Sequence, residues 1–474
     1  MGLTLGIAGT AKNTGKTTTL QAVVRFLRER RTGVFLTSIG YDGEDVDTVT
    51  GLPKPKVIVE EGDTVATALP LFRSSPARFA GLQPTGVDCA LGPVYSGTAV
   101  SPGRVVLAGP VSTKDVASVI KGAPADKTVL LDGAFSRLAP MVLADALILA
   151  TGAARSPDPR RIAAEMEALS VVFGLPEPMS TGGAGARPSG GEGLPSGSGR
   201  LPSGGEGLPS GGERLPSGSE RLSSGSERLP SDADLLRFPE GLFVEGQDSD
   251  VAARVAEALG LGPAKVLSSV SGSGSGRGDG ASRWAPHAAP SEAISCETTF
   301  FDRMIKRVPT LSPGAISREA TSPAVTVQID GVVNPTVFSS MVEKVWAAAG
   351  GNSQTTSVSG SGSPSSPLVE FVLAHPVFML LSGDIADWVR ALERAHSRGF
   401  RVSVRRRQNL LGFTVNPFRP VFDPIRNAYT ALYVDAALYL REIRCMTGVP
   451  TTDIVYEGTA ALESWLEEAG LLGS

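Results

Sequence analysis

Residues 9–18 read Gly-Thr-Ala-Lys-Asn-Thr-Gly-Lys-Thr-Thr. Gly9 and Gly15 allow the backbone to bend closely around an anion, and Lys16 adds a cation directly after the second bend. The hydroxyl of Thr17 has the type and position of a Mg²⁺ ligand. Gly-Lys-Thr is a common ending for phosphate-binding loops, whose first glycine stands five residues before the second. Here that position holds Thr10, and the glycine sits one residue earlier. The physical requirements are still met. An apolar run, Leu3–Ala8, leads into the loop, and a helical pattern leaves it. Gly9, Thr10, Asn13, Thr14, Gly15, Lys16, Thr17 and Thr18 are therefore the candidate phosphate contacts. The competing reading is an ordinary glycine turn opening a helix.

A nucleotide site also needs an acid for Mg²⁺ or for water. Asp132 ends the apolar run Val129–Leu131 and is a Walker-B-like candidate. An aspartate capping a turn after a strand is the plainer alternative. "AGPVSTKD" (Ala108–Asp115) and Thr151-Gly152 follow further apolar runs. Ligands of open parallel sheets sit at the carboxyl ends of strands, which would bring all these segments to one edge. The chain has no N/T-K-x-D guanine reader, so ATP is expected rather than GTP.

The elements that must hold these residues alternate. Strands are expected at Leu3–Ala8, Gly33–Ile39, Arg104–Gly109, Lys127–Asp132 and Ala144–Ala150, and helices at Thr17–Arg30 and Ile162–Val172. Continuous apolar strands separated by helices predict an α/β fold, a parallel sheet covered on both faces. Residues 1–178 form the expected nucleotide-binding domain. Residues 179–233 carry a seven-residue repeat close to LPSGSER, starting at Leu194 and recurring to Leu229. One apolar residue per repeat, among Gly, Ser and Pro, cannot offset ordering entropy, so this reads as a disordered insertion and not a coiled coil. Residues 234–267 read as a strand and helix returning to the first domain, and 268–294 as a linker. Residues 295–474 read as a second, smaller α/β domain. Its strands are expected at Ala324–Ile329, Leu368–Leu373, Arg401–Val404 and Leu410–Val415, and its helices at Pro335–Ala349, Ile385–Arg398, Arg426–Thr447 and Ala460–Ala469.

The shifted loop, Gly-Thr-x-x-x-x-Gly-Lys-Thr, is similar to that of dethiobiotin synthetase and its relatives, in the P-loop branch that also holds ParA/MinD-type ATPases. Ala11 stands where the ParA/MinD members carry an extra lysine, and Lys12 comes one residue late. In that branch an aspartate after the second strand serves the metal or its water. The resemblance thus implies Asp42, with Glu44 and Asp45 as competitors, and a solvated acidic loop as the bland reading. The implied catalytic set is Lys16, Asp42 and Asp132, and the implied metal set is Thr17, Asp42 and Asp132. "GIAGTAKNTGKTTT", "LTSIGYDGEDVDTVTGLPKPKV", "VLLDGAFSRLAPM" and "ADALILATGAARS", with "VVNP" and "LLGFTVNP" further on, resemble the small P-loop subunit of the reactivating factor for lysine 5,6-aminomutase. The resemblance implies ATP and Mg²⁺ as cofactors. It implies two partners, a larger reactivase ATPase subunit and the cobalamin-dependent aminomutase. The task would be nucleotide-driven exchange of damaged cofactor. No D-x-H-x-x-G stretch surrounds any histidine, so cobalamin binding by this chain is not expected. A dethiobiotin-synthetase-type ligase, using Leu52–Lys56 (LPKPK) to hold a small acid, and a non-hydrolysing nucleotide scaffold remain open alternatives.

Bulk properties agree with a soluble globular protein. The chain has 474 residues, 41% hydrophobic and 19% charged, with a net charge of −4. That charge gives no reason to expect a nucleic-acid partner. No apolar run reaches the length of a membrane span. Three widely spaced cysteines, Cys89, Cys296 and Cys445, suggest reduced thiols, and a cytoplasmic location is expected.

Overall fold

The computed structural model describes residues 3–41, 57–134, 137–178, 242–246, 249–261, 266–268, 325–349, 369–423 and 428–470. Its larger sheet has nine strands. Their spatial order is Thr451–Thr452, Asn409–Asn416, Ala146–Gly152, Thr4–Gly9, Lys127–Ala134, Gly33–Ser38, Thr64–Ala68, Gly92–Ala99 and Phe79–Cys89. The first seven run parallel, and the last two form an antiparallel edge.

The central strands are buried on both faces, which explains their continuous apolar composition. Alternate residues serve opposite layers. Leu5, Ile7, Leu130 and Ile148 pack with Leu20, Val23 and Leu27 of helix Lys16–Glu29, and with Leu462 and Leu466 of helix Ala460–Glu468. Ala8, Leu131, Leu147 and Leu149 face the other layer, which includes Val119 of helix Thr113–Lys121 and Met166 and Leu169 of helix Pro159–Phe173.

A second sheet has five strands in the order Val266–Ser268, Leu242–Gly246, Val325–Ile329, Val369–Leu373 and Arg401–Val404. The last three are parallel, and Leu242–Gly246 runs against them. Helices Ser249–Ala258, Pro335–Ala348 and Ile385–Ser397 belong with this sheet. Phe338, Phe371 and Trp388 meet in its core, with ring centroids 5.4 and 5.5 Å apart. Helix Pro159–Phe173 packs on both Ile385–Ser397 and helix Ala436–Met446, so one continuous core joins the two sheets.

Four expectations need correction. The strand and helix at 242–258 do not return to the first sheet, because Leu242–Gly246 pairs with Val325–Ile329. The expected boundary at residue 295 is not followed by the strands either, since Asn409–Asn416 lies beside Ala146–Gly152 in the first sheet. The boundary was inferred from Gly/Ser-rich composition. Long insertions cost little closure entropy, so they can interrupt a fold without dividing it. Arg104–Gly109 is not a strand of the parallel sheet. Only Gly103–Val105 is extended, antiparallel to Val57–Val59, and Thr64–Ala68 takes the place beside Gly33–Ser38. Finally, Arg426–Thr447 is not one helix. Phe418–Asp423 and Ala428–Tyr433 form a hairpin, and a helix begins only after Asp435, whose carboxylate accepts the Leu438 N–H at 2.8 Å. That cap fixes the start. The repeat segment 179–233 lies outside the described residues, as does the linker 268–294 apart from Ser268, which ends strand Val266–Ser268. Among the described residues, no helix is long and apolar enough to cross a membrane.

Candidate functional site

Strand Thr4–Gly9 lies between Lys127–Ala134 and Ala146–Gly152, all parallel. The loop therefore leaves the carboxyl edge of the sheet with an acid-bearing strand on one side. Thr10 stays tied to the other side. Its N–H donates to Ala150 O at 2.9 Å, and its hydroxyl donates to Thr151 Oγ1 at 3.0 Å. The loop then closes on itself through Thr14 Oγ1 to Ala11 O at 3.0 Å. Thr10 is thus a buried anchor, which accounts for a hydroxyl residue where the usual pattern has glycine.

Gly15 precedes helix Lys16–Glu29 with φ 88°, a left-handed conformation suited to glycine. A Cβ there would also sit 3.3 Å from Asn416 Cβ. Gly15 offers no side chain to cap the helix. The first-turn N–H groups at Lys16, Thr17 and Thr18 are therefore not taken by a capping oxygen from that position. They carry the positive end of the helix dipole, about half an elementary charge. Lys16 Nζ lies 3.1 Å from Asp132 Oδ2, with the two side chains only 15% and 12% exposed. Asp132 stands in register with Ile7 and with Ser38 of the next strand, so it is fixed on the sheet and does not cap a turn. Strand Lys127–Ala134 continues past it.

The neighbouring loops converge on the same edge. Gly40 N donates to Pro110 O, and Gly109 N donates to Gly40 O at 3.0 Å. Arg137 Nη1 donates to Tyr41 O at 3.4 Å, placing a guanidinium beside the exit of strand Gly33–Ser38. Two charged residues of these segments are otherwise engaged. Asp115 belongs to the cap of helix Thr113–Lys121: its N–H donates to Ser112 Oγ and its carboxylate accepts from the same hydroxyl at 2.7 Å. Arg155, in the Thr151–Ser156 segment, turns inward to Glu165 at 3.2 Å. Burial pushes the Glu165 carboxyl up, with Arg155 opposing it. Asp42, Glu44, Asp45 and the LPKPK stretch lie outside the described residues.

One contributor escaped the local motif. Asn416 ends strand Asn409–Asn416, and its Nδ2 donates to Asn13 O at 3.0 Å. Its backbone carbonyl accepts Ala153 N–H at 2.8 Å. Two residues earlier on the same strand, Thr414 shares a buried hydroxyl contact of 2.7 Å with Thr19. The sequence signal was the Asn-Pro pair after an apolar strand, "TVNP".

The donor set suits a polyphosphate accompanied by a divalent cation. Helix-start N–H groups, a lysine, a threonine hydroxyl and a strand-borne carboxylate all lie at one edge, and each has a matching partner in such a ligand. Comparison with protein-family models, with curated proteins and with solved structures returns no match.

Proposed function

We propose that this chain is a P-loop protein that binds ATP with Mg²⁺ at Gly9–Thr18 and works as an accessory subunit reactivating a cobalamin-dependent lysine 5,6-aminomutase. The observation that carries the nucleotide half is the Lys16–Asp132 contact beside a helix start without a capping side chain. A lysine held next to an acid at a strand end is pre-placed for phosphate, and the acid is pre-placed for metal or water. Loop N–H groups, Lys16 and Thr17 would hold the nucleotide. Asp132 and Asp42 are assigned to the cation or its water. ATP supplies a γ-phosphoryl group whose loss removes an anion from this edge.

Support for the accessory role is the resemblance of four loop-bearing stretches to the reactivase subunit. The physical scheme is a two-state element biased by the terminal phosphate, in which the loops near Gly40 and Arg137 respond to occupancy. Such an element does its work on a partner, so the isolated chain should turn ATP over slowly and form no new covalent product.

The test mixes inactivated aminomutase, adenosylcobalamin, ATP, Mg²⁺ and the larger accessory chain, with or without this protein, and follows recovered mutase activity. Recovery is expected only with the wild-type chain, and Lys16→Ala should fail. Equal recovery without this chain overturns the accessory role. A covalent product formed from ATP and a small acid by the chain alone would favour a ligase instead.

A further inference from the structure

The three parallel strands of the second sheet, Val325–Ile329, Val369–Leu373 and Arg401–Val404, end side by side. Asp330-Gly331, Ala374-His375 and Arg405-Arg406-Arg407 follow them. A small cavity opens at this edge between Gly331, Val333, Leu373, His375, Phe378 and Met379. Its interior, ≈ 10 Å³, takes the centre of a single water-sized group. Whatever binds must therefore present one atom inward and keep the rest at the rim.

His375 decides which kind of atom. The residue is only 4% exposed. Its Nδ1 accepts the Val377 N–H at 3.2 Å, so the proton of the neutral ring sits on Nε2. Nε2 is buried and has no hydrogen-bond partner among the described residues. A buried N–H of this kind calls for an oxygen acceptor. Burial, helped by the charge of Arg406, pushes the ring pKa down to about 4, which keeps His375 a neutral donor near pH 7.

The rim decides the charge. Arg405 pairs with Asp330, and Arg406 lies 3.2 Å from Asp145 with both side chains half exposed. Arg407 is exposed as well. Of these groups, Arg406 is near enough for its positive charge to act on the His375 ring. The remaining lining, Val333, Leu373, Phe378 and Met379, is apolar. A phosphate or sulfate would need several inward donors, and the cavity presents one.

We propose that this cavity binds a small carboxylate, one oxygen accepting from His375 Nε2–H inside and the other facing Arg406 at the rim. The site stands on strands of the second sheet and does not depend on nucleotide binding at Gly9–Thr18.

The test uses the full ¹⁵N-labelled chain, whose three histidines give few ring signals. Sodium acetate is titrated against sodium chloride at matched ionic strength. The His375 Nε2–H resonance should move saturably with acetate only, while His396 stays put. His375→Asn keeps an acceptor for Val377 N–H, but its shorter amide N–H₂ stops short of the Nε2 position, and acetate binding should be lost. Arg406→Gln should weaken acetate by about tenfold, the loss expected of one charge-assisted contact. No saturable shift overturns the proposal and leaves the cavity to a water. So does equal affinity in Arg406→Gln, or tighter binding of inorganic phosphate than of acetate. If His375→Asn does not fold, the wild-type resonance and the Arg406→Gln titration still decide.

Discussion

Asn416 Nδ2 donates to the carbonyl of Asn13, joining residues 403 positions apart. The contact closes the phosphate-loop candidate from outside its own strand and helix. Asn13 has φ 63°, an uncommon conformation for a residue with a side chain. A hydrogen bond to its carbonyl helps hold that conformation, and with it the direction of the N–H groups that follow. A strand from the far end of the chain thus helps fix the shape of the first loop.

Asn416→Ala should loosen the loop and leave the sheet intact. A hydrogen bond of this kind contributes about 1 kcal/mol, so ATP affinity should fall by about fivefold. Titration calorimetry with and without Mg²⁺ checks this. Unchanged affinity would mean the loop holds its shape without Asn416.

Lys16→Ala and Asp132→Asn should separate binding from turnover. Lys16→Ala removes the cation aimed at the phosphates and should abolish most ATP affinity. Asp132→Asn keeps the shape of the side chain and should leave ATP bound while slowing phosphate release. Both variants break a largely buried contact, so each should lower stability by about 1–3 kcal/mol, measured by chemical denaturation without nucleotide. ATP binding by Lys16→Ala equal to wild type would sink the phosphate-loop reading.

The loop was legible because its requirements are local. A strand, two glycines and a Lys-Thr pair within one short stretch fix a strand–loop–helix unit, and Asp132 was visible as the acid ending an apolar run. Asn416 was not visible as a loop residue, because nothing local to it specifies which strand it will pair beside. The same limit explains the strands that changed sheets. The apolar run Leu242–Val244 encodes a buried strand but not its neighbour. Asp115 looked available from its position beside Lys114, yet a serine three residues earlier makes it a helix cap. Arg104–Gly109 misled for the opposite reason: Val105, Leu107 and Ala108 are buried, as expected, but only its first part is extended.

His375 should make stability pH-dependent below neutrality. Its folded pKa, about 4, lies below the ordinary 6.5 of the unfolded chain. Between these values the unfolded state binds the proton and the folded state resists it. Stability from this group is therefore complete above about 6.5 and falls as pH drops toward 4, by about 3 kcal/mol in total. Denaturant titrations of wild type and His375→Asn at several pH values should show a shallower fall in the variant over this window. Parallel curves would show that His375 titrates normally in the folded protein.

The junction that carries Asn416 should be intolerant of a single methyl group at Gly152. Gly152 has φ 145°, and a Cβ there would lie 2.1 Å from Asn416 O and 2.6 Å from Asn416 N. Both are backbone atoms of the adjoining strand, so neither can swing aside. Gly62 offers the control. Its φ is 93°, but nothing lies within 4 Å of its Cβ position. Gly62→Ala should cost only conformational strain, about 1–2 kcal/mol. Gly152→Ala should cost that strain and also force the two strand ends apart, with at least about 2 kcal/mol more lost. Because the displaced strand end holds the Asn13 carbonyl, Gly152→Ala should also weaken ATP at least as much as Asn416→Ala does, while Gly62→Ala leaves ATP affinity unchanged. Equal stability losses at the two glycines, measured by denaturant titration, would show that the strand ends yield freely and do not brace the loop.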